Sequence, residues 1–142
     1  MSAAAVAERI AAEHWREEAD GRALLLAARC TACGQLFLPR VAVCAACGGQ
    51  AFESAPLAGP GRLYVHTVIH AAAPGFATPY AVGYVDYPEG VRVFGHVRLD
   101  GPGQPRPGVP VEVEAADLFR RPDGTPVRGY RFVPAAEDGG RA

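Results

Sequence analysis

Cys30-Thr31-Ala32-Cys33-Gly34 and Cys44-Ala45-Ala46-Cys47-Gly48 are two matched knuckles that carry every cysteine of the 142-residue chain. A thiolate pair at i and i+3 grips one side of a tetrahedral ion, and two such pairs complete its coordination. In each knuckle the second cysteine is followed by glycine, the residue that takes a positive-φ turn most cheaply and lets backbone N–H groups face the sulfurs. The spacing predicts a metal site with Cys30, Cys33, Cys44 and Cys47 as ligands, zinc being weighed ahead of iron. Two disulfides are the competing reading. They suit a secreted chain, and no basic segment leading into an apolar stretch and cleavage site stands near Met1. Four thiolates leave no position for water or substrate, so one structural Zn2+ per chain is expected, stapling a segment too short to build its own core.

Composition narrows the function further. The formal net charge is −1, and every basic residue is an arginine spread among acids rather than gathered into a run, so a phosphate backbone finds no electrostatic footprint. Apolar stretches such as residues 23–28 are far shorter than the ~20 residues of a membrane span, and a soluble, cytoplasmic protein is expected. Thirteen prolines and seventeen glycines are distributed along the chain, which fits short strands joined by tight turns.

The predicted architecture is mainly β, in four parts. Residues 1–21 are read as an N-terminal amphipathic helix, because Val6, Ile10, His14 and Trp15 fall on one helical face. Trp15 either anchors that helix to its own zinc module or meets a partner. Residues 22–58 are read as a rubredoxin-like zinc ribbon, with a strand over 23–28 feeding the first knuckle and a hairpin arm over 35–40. Gly59-Pro60-Gly61 punctuates the chain. Residues 59–134 then alternate as five strands, 62–70, 79–87, 91–99, 109–115 and 129–134, the first three antiparallel, which predicts a five-stranded OB-fold barrel. The tail, residues 135–142, has no apolar face and is expected to be disordered.

In this order the chain resembles a known family, the thiolase-associated proteins in which a zinc ribbon is joined to an acyl-CoA-binding OB fold, catalogued as domain of unknown function 35. The resemblance rests on His14-Trp15, Gly21-Arg22-Ala23-Leu24-Leu25-Leu26, the knuckles with Phe37-Leu38-Pro39-Arg40 between them, and Gly61-Arg62-Leu63-Tyr64-Val65-His66. Pro74-Gly75-Phe76, Pro79-Tyr80, Val91-Arg92-Val93-Phe94-Gly95 and Tyr130-Arg131-Phe132 follow in the family's order. It implies a non-catalytic accessory subunit that sits against a thiolase-fold enzyme, a thiolase or thiolase-like aldolase, in a hetero-oligomer such as a heterotetramer. Such a subunit helps hold or pass a CoA thioester while the partner supplies the nucleophile. The residues agree independently, since all four cysteines are claimed by the knuckles and none is free to attack a thioester.

His66, His70 and His96 lack an accompanying carboxylate or nucleophile and are read as packing residues. Arg62, Arg92, Arg98, Arg128 and Arg131 lie on or beside the predicted strands, where a guanidinium fork suits the phosphates of CoA, although solvated strand charge has the same appearance. The loop carrying Phe76 and Tyr80 is expected, mainly through the resemblance, to stack on adenine or line the pantetheine channel; closing the barrel end is the alternative. The set expected to contact CoA is Phe76, Tyr80, Arg92 and Arg131. A zinc-ribbon and OB-fold nucleic-acid module is the competing function, and it requires a net positive barrel that the near balance of acids and bases does not supply.

Overall fold

The computed structural model describes residues 8–9, 12–57, 59–99 and 104–134. Among the described residues ten strands account for the regular structure apart from one 3-10 turn, Ala12–His14: β1 (Glu8–Arg9), β2 (Trp15–Glu17), β3 (Ala23–Cys30), β4 (Leu36–Phe37), β5 (Phe52–Leu57), β6 (Gly61–Ile69), β7 (Tyr80–Asp86), β8 (Arg92–Val97), β9 (Pro110–Arg120) and β10 (Pro126–Pro134). The expected N-terminal helix is therefore corrected: residues 12–14 form the 3-10 turn and residues 15–17 a strand, while Val6 and Ile10 lie outside the described residues. Tertiary burial overrides helical periodicity here. Trp15 pairs in register with Leu25 of β3, is 1% exposed, and meets the Tyr130 ring edge-on at 6.5 Å. Trp15 thus anchors its own core. His14 secures the turn from the other side, its Nε2 accepting the Arg40 N–H at 3.3 Å.

β3 is the hub of the first sheet, flanked by β2 and β4 and, along Leu25 to Cys30, by β5. The second sheet closes on itself. β6, β7 and β8 form an antiparallel meander; β8 pairs in parallel with β10, β10 pairs antiparallel with β9, and β9 returns to β6. This is the expected five-stranded barrel, and closure removes the sheet edges that would otherwise invite association. Alternation explains the core: β7 buries Ala81 and Val85 while Tyr84 stays exposed, and β8 buries Val93 and Val97 while Phe94 stays exposed. Gly95 sits where the Phe132 ring crosses β8, and a Cβ there would stand 2.8 Å from that ring.

The two sheets share one hydrophobic cluster, in which Trp15, Leu25 and Leu57 pack with Leu63, Val85, Val111 and Phe132. Polar contacts line the seam. Ala115 N–H donates to Gly21 O at 3.0 Å, and the Arg128 guanidinium reaches Glu17 of β2 at 2.8 Å and Asp117 of β9 at 3.0 Å. We expect Trp15→Ala to lower unfolding stability by about 3–5 kcal/mol in urea titrations, as for other buried aromatics, whereas Arg16→Ala, on the exposed neighbour, should cost less than about 0.5 kcal/mol. Comparable losses for the two variants would contradict the anchoring role of Trp15.

Candidate functional site

The four cysteines converge. Cys30, the last residue of β3, and Cys44 are buried, while Cys33 and Cys47 face outward. All four Sγ atoms lie within 4.8 Å of one another, with Cys30 to Cys47 and Cys33 to Cys44 each at 3.6 Å. A tetrahedron with Zn–S bonds of about 2.3 Å has edges of about 3.8 Å, so the cluster fits the ion. Each knuckle closes as the glycines predict: Gly34 (φ 85°) donates to Cys30 O and Gly48 (φ 82°) to Cys44 O, both at 2.8 Å. The N–H groups of Ala46 and Gly49 donate to the sulfurs of Cys44 and Cys47 at 3.4 Å. Gly49 also leaves room for the cluster, since a Cβ there would lie 3.2 Å from Cys30 Sγ. Among the described residues this is the one grouping of three or more Cys, His, Asp or Glu side chains with metal-ligand proximity.

The thiols are electrostatically unequal. The Cys33 N–H, with other N–H and S–H donors, draws the Cys30 thiol down to about 7. At Cys44 burial raises the pKa, but the N–H groups of Cys47 and Ala46 outweigh it and the net shift is downward. At Cys47 the Gly49 N–H lowers the pKa, but the sulfurs of Cys30 and Cys33 and burial push it up to about 12. Cys33 is likewise raised, the Gln35 N–H being outweighed chiefly by Cys44. The four sulfurs thus split into two whose pKa is drawn down, Cys30 and Cys44, and two whose pKa is pushed up, Cys33 and Cys47. A divalent ion would displace the remaining thiol protons and let all four act as thiolates.

A second site lies on the barrel. Phe119, Phe76, Tyr80 and His96 form a column of near-parallel rings, with successive centroid distances of 4.4, 5.3 and 5.2 Å and interplanar angles of 15°, 25° and 15°. Arg120 N–H pins the loop bearing Phe76 by donating to Gly75 O at 3.1 Å. Two clefts flank the column. One, of about 550 Å³, is lined by Ile69, Phe76, Val82, Phe94 and Phe119. The other, of about 450 Å³, is lined by Pro79, Arg98, Leu99, Asp117 and Arg131, and both clefts include Tyr80, His96 and Leu118. Burial, helped by the nearby Arg131 charge, lowers the His96 pKa, so this imidazole is neutral at pH 7.

The structure brings together Phe76, Tyr80 and Arg131 of the four residues expected to contact CoA, and it leaves Arg92 apart. Arg92 sits at the far end of the β7–β8 hairpin, about 20 Å along the strand from Tyr80 at ~3.3 Å per residue. There it pairs with Asp86 (Nη2 to Oδ2, 3.0 Å) and lies 3.8 Å over the Tyr64 ring. Phe76 has a ring of this chain on each face, so stacking on adenine would require displacing one. Of the other arginines weighed, Arg62 donates to Gly108 O at 2.9 Å and Arg128 is taken by Glu17 and Asp117. The three histidines form no cluster: His66 and His70 lie on and just beyond β6, while His96 packs on Tyr80. Phe119 is the residue that sequence reasoning missed. The signal was Leu118-Phe119, which extends β9 past the expected end at Ala115.

Comparison with known proteins bears on both sites. Residues 19–53 match the rubredoxin-like zinc ribbon domain of ChsH2, and residues 54–116 match the ChsH2 C-terminal OB-fold domain. The chain is 40% identical over 116 residues to the benzoylsuccinyl-CoA thiolase subunit BbsA of Thauera aromatica, covering 80% of this chain and 79% of that protein. It is 30% identical over 135 residues to a DUF35 domain-containing scaffold protein of Methanocaldococcus jannaschii, covering 89% and 92%. Among solved structures it is similar to a chain of the Ltp2-ChsH2(DUF35) aldolase, with a TM-score of 0.64, 29% identity, and coverage of 78% of this chain and 84% of that one.

Cys30→Ser and Cys44→Ser are each expected to lose bound zinc and to open residues 30–49 to proteolysis, and chelation of the unaltered protein should do the same reversibly. Metal analysis and limited digestion check this; a metal-free ribbon that stays protected would contradict it.

Proposed function

Since the chain belongs to the DUF35 family of ChsH2-type zinc-ribbon and OB-fold proteins, we propose that it is the non-catalytic accessory subunit of a thiolase-fold enzyme, a thiolase or thiolase-like aldolase, whose acyl-CoA substrate it helps to bind or channel. The observation that carries this reading is the likeness to the BbsA subunit over four-fifths of the chain, joined to the fate of the cysteines. Thiolase chemistry needs a thiolate free to attack a thioester. All four cysteines of this chain belong to the metal cluster, so the nucleophile is the partner's.

The division of labour follows from the two sites. Residues 22–58 hold one structural zinc through Cys30, Cys33, Cys44 and Cys47 and keep the ribbon rigid. Residues 59–134 border the path of the acyl-CoA, with Phe76, Tyr80 and Arg131 along it, while Arg92, held by Asp86 away from both clefts, lies off that path. The complex is a cytoplasmic hetero-oligomer. Val65, Tyr84 and Phe94 lie side by side in register across β6, β7 and β8 and are 43%, 44% and 51% exposed, a contiguous apolar strip that gives a partner a surface to cover. A nucleic-acid module is disfavoured by charge pairing on the barrel, where Arg92 is paired with Asp86, Arg128 with Glu17 and Asp117, and Arg131 with Glu114, so that these arginines are not free to line up along a phosphate backbone.

Tagged protein purified from its host should bring down a thiolase-fold protein and contain one zinc per chain, read by mass spectrometry and metal analysis of the same eluate. Phe94→Asp should reduce that capture about tenfold or more, as truncating a buried aromatic anchor does. Recovery of nucleic acid without such a partner would overturn the reading.

A further inference from the structure

We infer that Arg98 and Arg131 form an oxyanion subsite in the 450 Å³ barrel cleft, which meets the aromatic cleft at Tyr80, His96 and Leu118, and that it takes the anionic end of a ligand whose apolar body lies along the Phe76, Tyr80 and His96 rings. The inference rests on the acyl-CoA reading and deepens it by naming the chemistry that the barrel recognises.

Barrel topology creates the pair. The parallel register of β8 and β10 sets Arg131 opposite His96, and Arg98, just past β8, is held by its backbone N–H on Phe132 O at 2.8 Å. Both guanidinium groups share a single carboxylate. Arg131 Nε lies 2.6 Å from Glu114 Oε2, whereas Arg98 Nη1 stands 3.7 Å from Glu114 Oε1. Among the described residues, one acid facing these two arginines leaves a positive charge uncompensated. Asp117, the acid that lines the 450 Å³ cleft itself, is bridged by Arg128 at 3.0 Å. The Arg98 side chain is only 18% exposed, and its Nε has no hydrogen-bond acceptor. Buried donors are almost always satisfied, so this arginine retains donor capacity for an acceptor brought by a ligand, in a setting drier than bulk water where a charge-assisted bond is worth more. Neutral His96 adds a flat wall without competing for the anion.

Two ligand groups offer this chemistry: a free carboxylate on the acyl portion of the substrate and a phosphate of CoA. Either would present paired oxygens to a guanidinium fork, while the 550 Å³ cleft with its aromatic lining takes the neighbouring apolar segment.

The test is calorimetric titration of the zinc-loaded full chain with two anionic probes, 3-phenylpropionate and 4′-phosphopantetheine, each against its neutral counterpart, 3-phenylpropanamide and pantetheine. At least one anionic probe should bind about tenfold tighter than its counterpart, the factor expected for one charge-assisted hydrogen bond. Preference for phenylpropionate assigns the acyl carboxylate, and preference for phosphopantetheine assigns the CoA phosphate. Arg98→Gln should erase the preference and Arg98→Lys should retain part of it. No preference in the unaltered protein, or a preference unchanged in Arg98→Gln, would overturn the inference, and the first of these outcomes needs no variant to fold. Partner capture is scored separately: a chain that captures a thiolase-fold protein but does not discriminate anions fails this inference alone, and one that discriminates anions without capturing a partner fails the subunit reading alone.

Discussion

Burial of β3 is the constraint on which the rest of the molecule depends. Leu25 and Ala27 have no exposed surface, and Cys30, at the end of the same strand, is 1% exposed within the thiol cluster. One short strand therefore carries both the core of the first sheet and the first ligand of the metal cluster, while pairing with β2, β4 and β5. A segment of this size buries too little apolar surface to hold such a strand unaided. The metal supplies the missing free energy at one end, and the shared cluster of Trp15, Leu57 and Leu63 supplies it at the other.

From that strand the order propagates to the barrel. Trp15 is fixed against Leu25 and in turn meets Tyr130, whose O–H donates to Phe94 O at 2.7 Å and whose ionisation burial pushes up to about 12. Tyr130 belongs to β10, the strand that closes the barrel beside β8. The same closure sets Arg131 opposite His96 and brings the long β9–β10 hairpin, with Phe119, over the loop that carries Phe76. The metal cluster and the aromatic clefts are thus connected by packed side chains, although no cysteine lines either cleft.

The sequence was most legible where a residue type has one inexpensive use. The knuckle glycines take the positive φ expected of them, and strands at 62–70, 79–87 and 91–99 appear within a residue or two at each end, because alternation and turn chemistry act locally. It was least legible where distant contacts decide. The helix expected over residues 1–21 rested on periodicity, whereas Trp15 is claimed by a strand pairing with Leu25, a partner chosen by tertiary packing. Arg92 and Arg131 look alike on alternating strands, and only barrel closure shows that one ends beside Tyr64 and the other beside His96. The partner of Phe76 was hidden for the same reason, since Phe119 lies beyond the point at which β9 was expected to stop.

The ring column also bears on how the barrel would handle the ligand proposed for it. A binding site that sandwiches a base keeps an open aromatic face, and here Phe76 has none, lying between Phe119 and Tyr80. Rings stacked on one another are held in place before anything binds, so a ligand sliding along their edges incurs little ordering cost. Such a wall has weak grip and little specificity for an apolar chain, which suits passage more than retention. Retention then falls to the polar end of the cleft, where Glu114 answers two guanidinium groups and satisfies one of them well. On the proposed subunit reading, a smooth aromatic wall ending in an incompletely neutralised arginine pair would distinguish a ligand by its charged terminus and would leave reaction at the thioester to a thiol of the partner chain.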